Sequence, residues 1–127
     1  MDASAADLAA LQGRWEQVSL EADGIADPPD PYSGPGVVLT IRGHAFHVHH
    51  PGGETLLHGV FELNAASVPK AVTWIDAIGD DAGKPLPASY ELEQDRFVFI
   101  AADAGGPRPM VFRTRTGLTM REFRRLG

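Results

Sequence analysis

Apolar and polar residues alternate along most of this chain in short runs broken by glycine and proline, which is the period of half-buried β-strands. Only the start differs. Ser4 followed by Asp7 reads as a loose capping box with a carboxylate in the first turn. Leu8 and Leu11, three apart, share a helix face, so one helix of about two turns fits, ended by Gly13. The alternation then predicts strands over 15–21, 37–42, 45–50, 55–63, 70–78, 89–93, 97–102, 110–115 and 118–125. Turns are expected at Gly43-His44, Pro51-Gly52-Gly53-Glu54, Asp95 and Thr116-Gly117. Longer loops are expected over 23–36, 80–87 and 103–109. The first holds Asp27-Pro28-Pro29-Asp30-Pro31, which cannot be regular structure; it is either a lid or a flexible connector. Hairpin spacing with almost no helix indicates an antiparallel barrel or sandwich.

The alternation also assigns faces. A two-residue turn at Gly52-Gly53 pairs Val48 with Leu57, Phe46 with Gly59 and His47 with His58. One face then carries Phe46, Val48, His50, Leu57, Phe61 and Leu63 and is expected to point inward. The other carries His47, His49, Leu56, His58 and Glu62. Val72, Trp74 and Asp76 share a face, as do Tyr90, Leu92, Phe97 and Phe99, and Met110, Phe112, Arg121 and Phe123.

Length and composition narrow the class. The 127 residues are read as a single domain, 43% hydrophobic and 22% charged, which argues against disorder. No apolar run approaches the ~20 residues of a membrane span, and the N-terminus does not read as a secretory signal. There is no cysteine, which removes disulfides, thiolate nucleophiles and zinc–sulfur sites. A cytoplasmic location is expected. The net charge of −6 argues against nucleic acid and acidic membranes as partners. Arg113, Arg115, Arg121, Arg124 and Arg125 crowd the C-terminal end, as a solvated strand pair or as an anion-binding patch.

Read together, LQGRWEQVSLEADG, HGVFELN, PKAVTWID, SYELEQDRFVF and GPRPMVF, with the strand ending in Arg124-Arg125, resemble a family of uncharacterised bacterial lipocalin-like (calycin-type) domains common in planctomycetes. The resemblance runs from about Leu8 to Arg125. It implies an all-β fold: an antiparallel up-and-down barrel, lipocalin-like, of eight to nine strands with one short N-terminal helix. It carries no activity with it. It also implies that an arginine of the last strand stacks on Trp15 and closes the base, with Arg121 the first choice and Arg124 the alternative if the turn is longer. In the other role open to it, Arg121 clamps a ligand carboxylate. The histidine-rich HAFHVHH departs from the family's pattern.

Three functional readings follow. The first is a barrel holding a small hydrophobic or amphipathic molecule, with ligand-binding residues Phe46, His50, Phe61, Trp74, Asp76, Tyr90, Phe99, Phe112 and Arg121. The second is an isomerase, cyclase or lyase in the same cavity, with Asp76 as general acid or base and Tyr90 as donor. The third is an interaction module, monomer or homodimer, joined through the histidine face or a strand edge. His47, His49 and His58 are candidate metal ligands, or else a surface patch. No nucleophile elbow, P-loop or dinucleotide fingerprint is present, and no cofactor is expected.

Overall fold

The computed structural model describes residues 2–29 and 36–126. Helix α1 (Ala3–Leu11) is an alanine-rich run of high helix propensity. Its N-cap is Asp2, whose carboxylate accepts from the Ala5 N–H at 2.7 Å. Ser4, expected to cap, instead accepts the Ala65 N–H at 2.9 Å, fastening the helix to the barrel. Gly13, with φ of 116°, provides the sharp exit into the first strand.

Nine strands follow: β1 (Gly13–Ala22), β2 (Ile25–Ala26), β3 (Val38–Arg42), β4 (Ala45–His49), β5 (Thr55–Asn64), β6 (Lys70–Asp76), β7 (Pro85–Glu93), β8 (Arg96–Ala102) and β9 (Leu118–Arg125). From β3 to β9 each pairs antiparallel with the next, β3 pairs with β1, and β9 returns to β1. The result is a closed, up-and-down barrel of eight strands. The short β2 is an extra strand on the upper part of β1. Part of the loop expected over 23–36, with its possible lid, lies outside the described residues.

The hairpin β4–β5 has the expected pairs Val48–Leu57, Phe46–Gly59 and His47–His58, with a register shift beyond Val48 that sets His49 against Thr55. Gly59 faces inward because nothing larger fits. An added Cβ would lie 2.1 Å from the Ile75 carbonyl oxygen and 2.9 Å from the Phe46 ring. A bulge between Gln17 and Ser19 lets both Gln17 and Leu20 pair with inward positions of β9, Phe123 and Arg121.

Four expectations are corrected here. β6 ends at Asp76, short of 78. β7 begins at Pro85, inside the expected loop; both prolines precede its first pair with β8, Ala88–Ala101, so their missing donors cost no ladder bond there. The strand expected over 110–115 does not form, and β8 pairs directly with β9 across a loop of residues 103–117. Two prolines deny that segment ladder donors, and its side chains bind it to the outside of the barrel instead. Arg108 donates to the carbonyls of Val72 (2.8 Å) and Ala88 (2.5 Å) and to Thr73 Oγ1 (2.9 Å). Ser89 donates to the Pro109 carbonyl at 2.5 Å and is fully covered, although it points away from the interior.

The fourth correction concerns the base. The arginine over Trp15 is Arg125, 4.2 Å from the ring centroid, and neither Arg121 nor Arg124. The register decides it: Trp15 pairs with Arg125, which puts Arg121 two inward positions higher and turns Arg124 outward beside Glu16. Arg125 also donates to the carbonyls of Ala10 and Gln12, where a cation meets the negative end of the helix. Above this seal the core is aromatic: Phe97 lies 5.9 Å from both Trp15 and Phe123 and 6.1 Å from Tyr90. Each such ring contributes about 1.5–3 kcal/mol on burial.

Arg125→Ala is expected to cost about 2–4 kcal/mol, through the lost cation–π contact and the orphaned helix carbonyls. Arg124→Ala, whose side chain is 69% exposed, should change stability by less than about 0.5 kcal/mol. Urea unfolding of the two variants beside the parent checks the contrast.

Candidate binding site

With α1 across one end, the described residues leave the barrel open at the other, where the loops after β4, β6 and β8 emerge. A cavity of about 250 Å³ lies under that mouth. Its wall is apolar, from Leu39, Phe46, Leu57, Trp74, Phe99 and Phe123 among others. Its polar groups are Gln17, Asp76, Asp81, Asp103, Thr119 and Arg121.

Strand alternation places most of these. Trp74 and Asp76 are successive inward residues of β6. Trp74 stands edge-on to Phe46 at 5.2 Å and tilted to Phe61 and Phe99 at 5.3 and 5.0 Å. It is 6% exposed, and its indole nitrogen is buried without a hydrogen-bond partner. An orphaned donor of this kind costs about 1–3 kcal/mol.

Asp76 ends β6 at the mouth. Its backbone carbonyl accepts from Gly83 at 2.8 Å, which folds the following loop back over the opening. The residue is 9% exposed, and its carboxyl makes no hydrogen bond or ion pair with any other described residue. Burial raises its pKa above the ordinary carboxylate range, and the charge of Asp81 adds to the shift, against a smaller opposing pull from Arg121. Arg121 donates to Gln17 Oε1 at 3.1 Å.

Of the side chains singled out from the sequence, Phe46, Trp74, Asp76, Phe99 and Arg121 line the cavity. Phe61 is completely buried beside Trp74 and does not. His50 sits in the turn at the mouth, where its backbone N–H donates to the Glu54 carbonyl. Phe112 belongs to the external loop, so the structure does not bring it to the wall. Tyr90 lies at the closed end, 1% exposed, and donates to Asp7 Oδ2 at 2.6 Å. Lys70 holds the same oxygen at 3.0 Å. Burial, then the hydrogen bond and charge of Asp7, push the phenol well above its usual range. Tyr90 pairs with Lys70 at the start of β6 and Asp76 ends that strand, about 20 Å away at ~3.3 Å per residue. The structure therefore does not bring the expected acid–base pair together.

The histidines lie on the outer face. His47 and His49 stack at 4.8 Å, and each ring bonds a threonine: His47 to Thr55 at 2.7 Å, His49 to Thr40 at 3.0 Å. Partial burial, then the nearby rings of His49 and His58, lower the pKa of His47. Among the described residues no three such side chains are arranged to hold a metal ion.

The sequence reading left out Gln17, Asp81, Asp103, Thr119 and Phe123 as site residues. Phe123 was on an inward face already recognised. Gln17 follows Trp15 by two, and that alternation would have found it. Asp81 and Asp103 sit in loops, where no periodicity points inward.

Comparison of the chain with known protein families, with curated proteins and with solved structures finds no match.

Tyr90→Phe is expected to cost about 1–3 kcal/mol by releasing α1 from the barrel while leaving the cavity intact, read by thermal unfolding and by backbone amide spectra of the mouth residues. Asp76 behaves oppositely. Its folded-state pKa exceeds that of the unfolded chain, so between the two values the folded state holds more protons. The group's contribution to stability is full below the unfolded value and is lost as pH rises through the folded one. Asp76→Asn should therefore raise Tm at pH 7, and the gain should shrink as pH falls into the ordinary carboxylate range; scans across pH 4–7 check the sign.

Proposed function

We propose that the protein is a soluble lipocalin-like carrier or receptor that takes one small amphipathic molecule, apolar part inward, through the open end of the barrel. The observation that supports this best is the cavity of about 250 Å³, with an apolar wall and polar groups gathered on its rim. Its volume equals roughly eight waters at ~30 Å³ each, which suits a ligand of about that many heavy atoms. The closed barrel with a helix over one end also accords with the resemblance to the bacterial lipocalin-like family.

The outer face favours a protein surrounded by water. It carries cross-strand ion pairs such as Arg96–Glu122 and Arg124–Glu16, while the large aromatic core residues point inward. A barrel that spans a bilayer has the reverse arrangement. Among the described residues no helix is long and apolar enough to cross a membrane. The cysteine-free composition fits a cytoplasmic setting.

A second reading, acid–base catalysis in the same cavity, has one observation in its favour: the buried carboxyl of Asp76, with its raised pKa, faces the space a substrate would fill. In that reading Asp76 acts without Tyr90.

The two tryptophans make binding directly testable. The Trp15 indole N–H donates to the Leu11 carbonyl at 2.9 Å under the closed end, whereas Trp74 borders the cavity. Titration with 2-phenylethanol, a neutral aryl alcohol of suitable size, is expected to shift the Trp74 indole NMR resonance saturably and leave that of Trp15 in place. Assignment rests on Trp74→Phe. Two unmoved indoles at millimolar alcohol would remove the carrier reading.

A further inference from the structure

We propose that the ligand of this cavity is a cationic amphiphile: a small molecule with an aromatic or aliphatic body and a primary ammonium head, seated on Asp76. The inference rests on the carrier reading above and adds the charge of the ligand to it.

The polar rim is not evenly balanced. Among the described residues, three aspartates, Asp76, Asp81 and Asp103, line the cavity with one arginine, Arg121. Arg121 is already engaged with Gln17. Asp76 is the buried one of the three, 9% exposed, and has no hydrogen-bonding or ion-pairing partner among the described residues. An ionised carboxylate so enclosed needs a counter-charge, and the pull of Arg121 offsets only part of what burial and Asp81 oppose. An ammonium entering from the mouth would supply up to three donors and a positive charge where Asp76 and Asp81 add their fields.

The spacing suits the rest of such a molecule. Trp74 and Asp76 stand two residues apart on one face of β6, on the order of 6–7 Å along the strand. An ammonium held at Asp76 and an aryl ring joined to it by two carbons can therefore reach both residues. The ring would lie among Trp74, Phe46 and Phe99, whose faces also attract a nearby cation. A carboxylate head is disfavoured by the same rim, because it would enter the combined field of three aspartates.

Three probes that share one body separate the charge from the cavity: 2-phenylethylammonium, 2-phenylethanol and phenylacetate, titrated calorimetrically into the whole protein at low ionic strength. The ammonium is expected to bind about tenfold or more tightly than the alcohol, and phenylacetate more weakly than both. Asp76→Asn should bring the ammonium down to the affinity of the alcohol and leave the alcohol as it was, which also shows that the variant is folded. Asp81→Asn, in the flanking loop, should weaken the ammonium by a smaller factor. Equal affinities for ammonium and alcohol in the parent protein would overturn the inference while sparing the carrier reading. Tightest binding of phenylacetate would overturn it in favour of Arg121 as the anchor. If none of the three binds at millimolar concentration, both the inference and the reading beneath it fall.

Discussion

One guanidinium fixes the geometry of this barrel. Arg125 lies over Trp15, donates to the carbonyls at the end of α1 and stands 3.5 Å from Asp95 in the turn between β7 and β8. It thus joins the first strand, the last strand, the helix and a turn at a single point. A long, flexible lysine with a compact charge could not make the ring contact and the forked donation together. The register of β9 on β1 that places Arg125 there also sets what happens higher up. Counting inward from Arg125 gives Phe123 in the packed layer and Arg121 at the level of Phe99, in the cavity. The seal at the base and the polar rim above are consequences of one alignment.

The same alignment divides the interior. Near the seal, Trp15, Phe61, Tyr90, Phe97 and Leu11 are fully enclosed and fill the barrel with rings. Toward the mouth, Leu57, Val48 and Leu86 replace rings on several strands, and Gly59 leaves a position with no side chain. Phe46 covers that glycine and thereby forms part of the cavity wall. Solid packing and open space therefore follow from the size of the residues presented at each height, under a constant alternation.

Alternation is what made much of this legible beforehand. It gives the face of each side chain, and the Pro-Gly-Gly turn gives the register of β4 on β5, so the pairs Phe46–Gly59 and His47–His58 could be written down from the chain. Alternation does not give depth. Asp76 and Tyr90 both point inward, yet they stand at opposite ends of the barrel. Nor does it distinguish a strand from a strap. Residues 110–115 carry the spacing of a strand, but Arg108 and Ser89 bind the neighbouring prolines to the outside of β6 and β7, and the segment leaves the ladder. With that strand went Phe112 as a wall residue and the counting that had set Arg121 over Trp15. Asp81 and Asp103 were illegible for a different reason. Their place at the rim depends on how loops fold over a finished barrel, and no local pattern encodes that.

Asp76 is the residue whose presence the fold does least to explain. An asparagine or leucine would fit the end of a strand beside Trp74 at lower energetic cost, since burial and Asp81 both act against the ionised carboxylate and Arg121 offsets only part of the effect. Neighbouring groups show how the protein satisfies polar side chains when structure requires them. Asp7 receives Tyr90 and Lys70, Asp2 caps the helix, and Arg108 donates to two carbonyls and a threonine hydroxyl. Among the described residues, the Trp74 indole N–H is buried without a partner and the Asp76 carboxylate makes no hydrogen bond, and they belong to successive inward residues of one strand, in one cavity wall. Unsatisfied groups scattered through a core would suggest imperfect packing. Placed together on one wall of the cavity, they mark where the proposed ligand would complete the site.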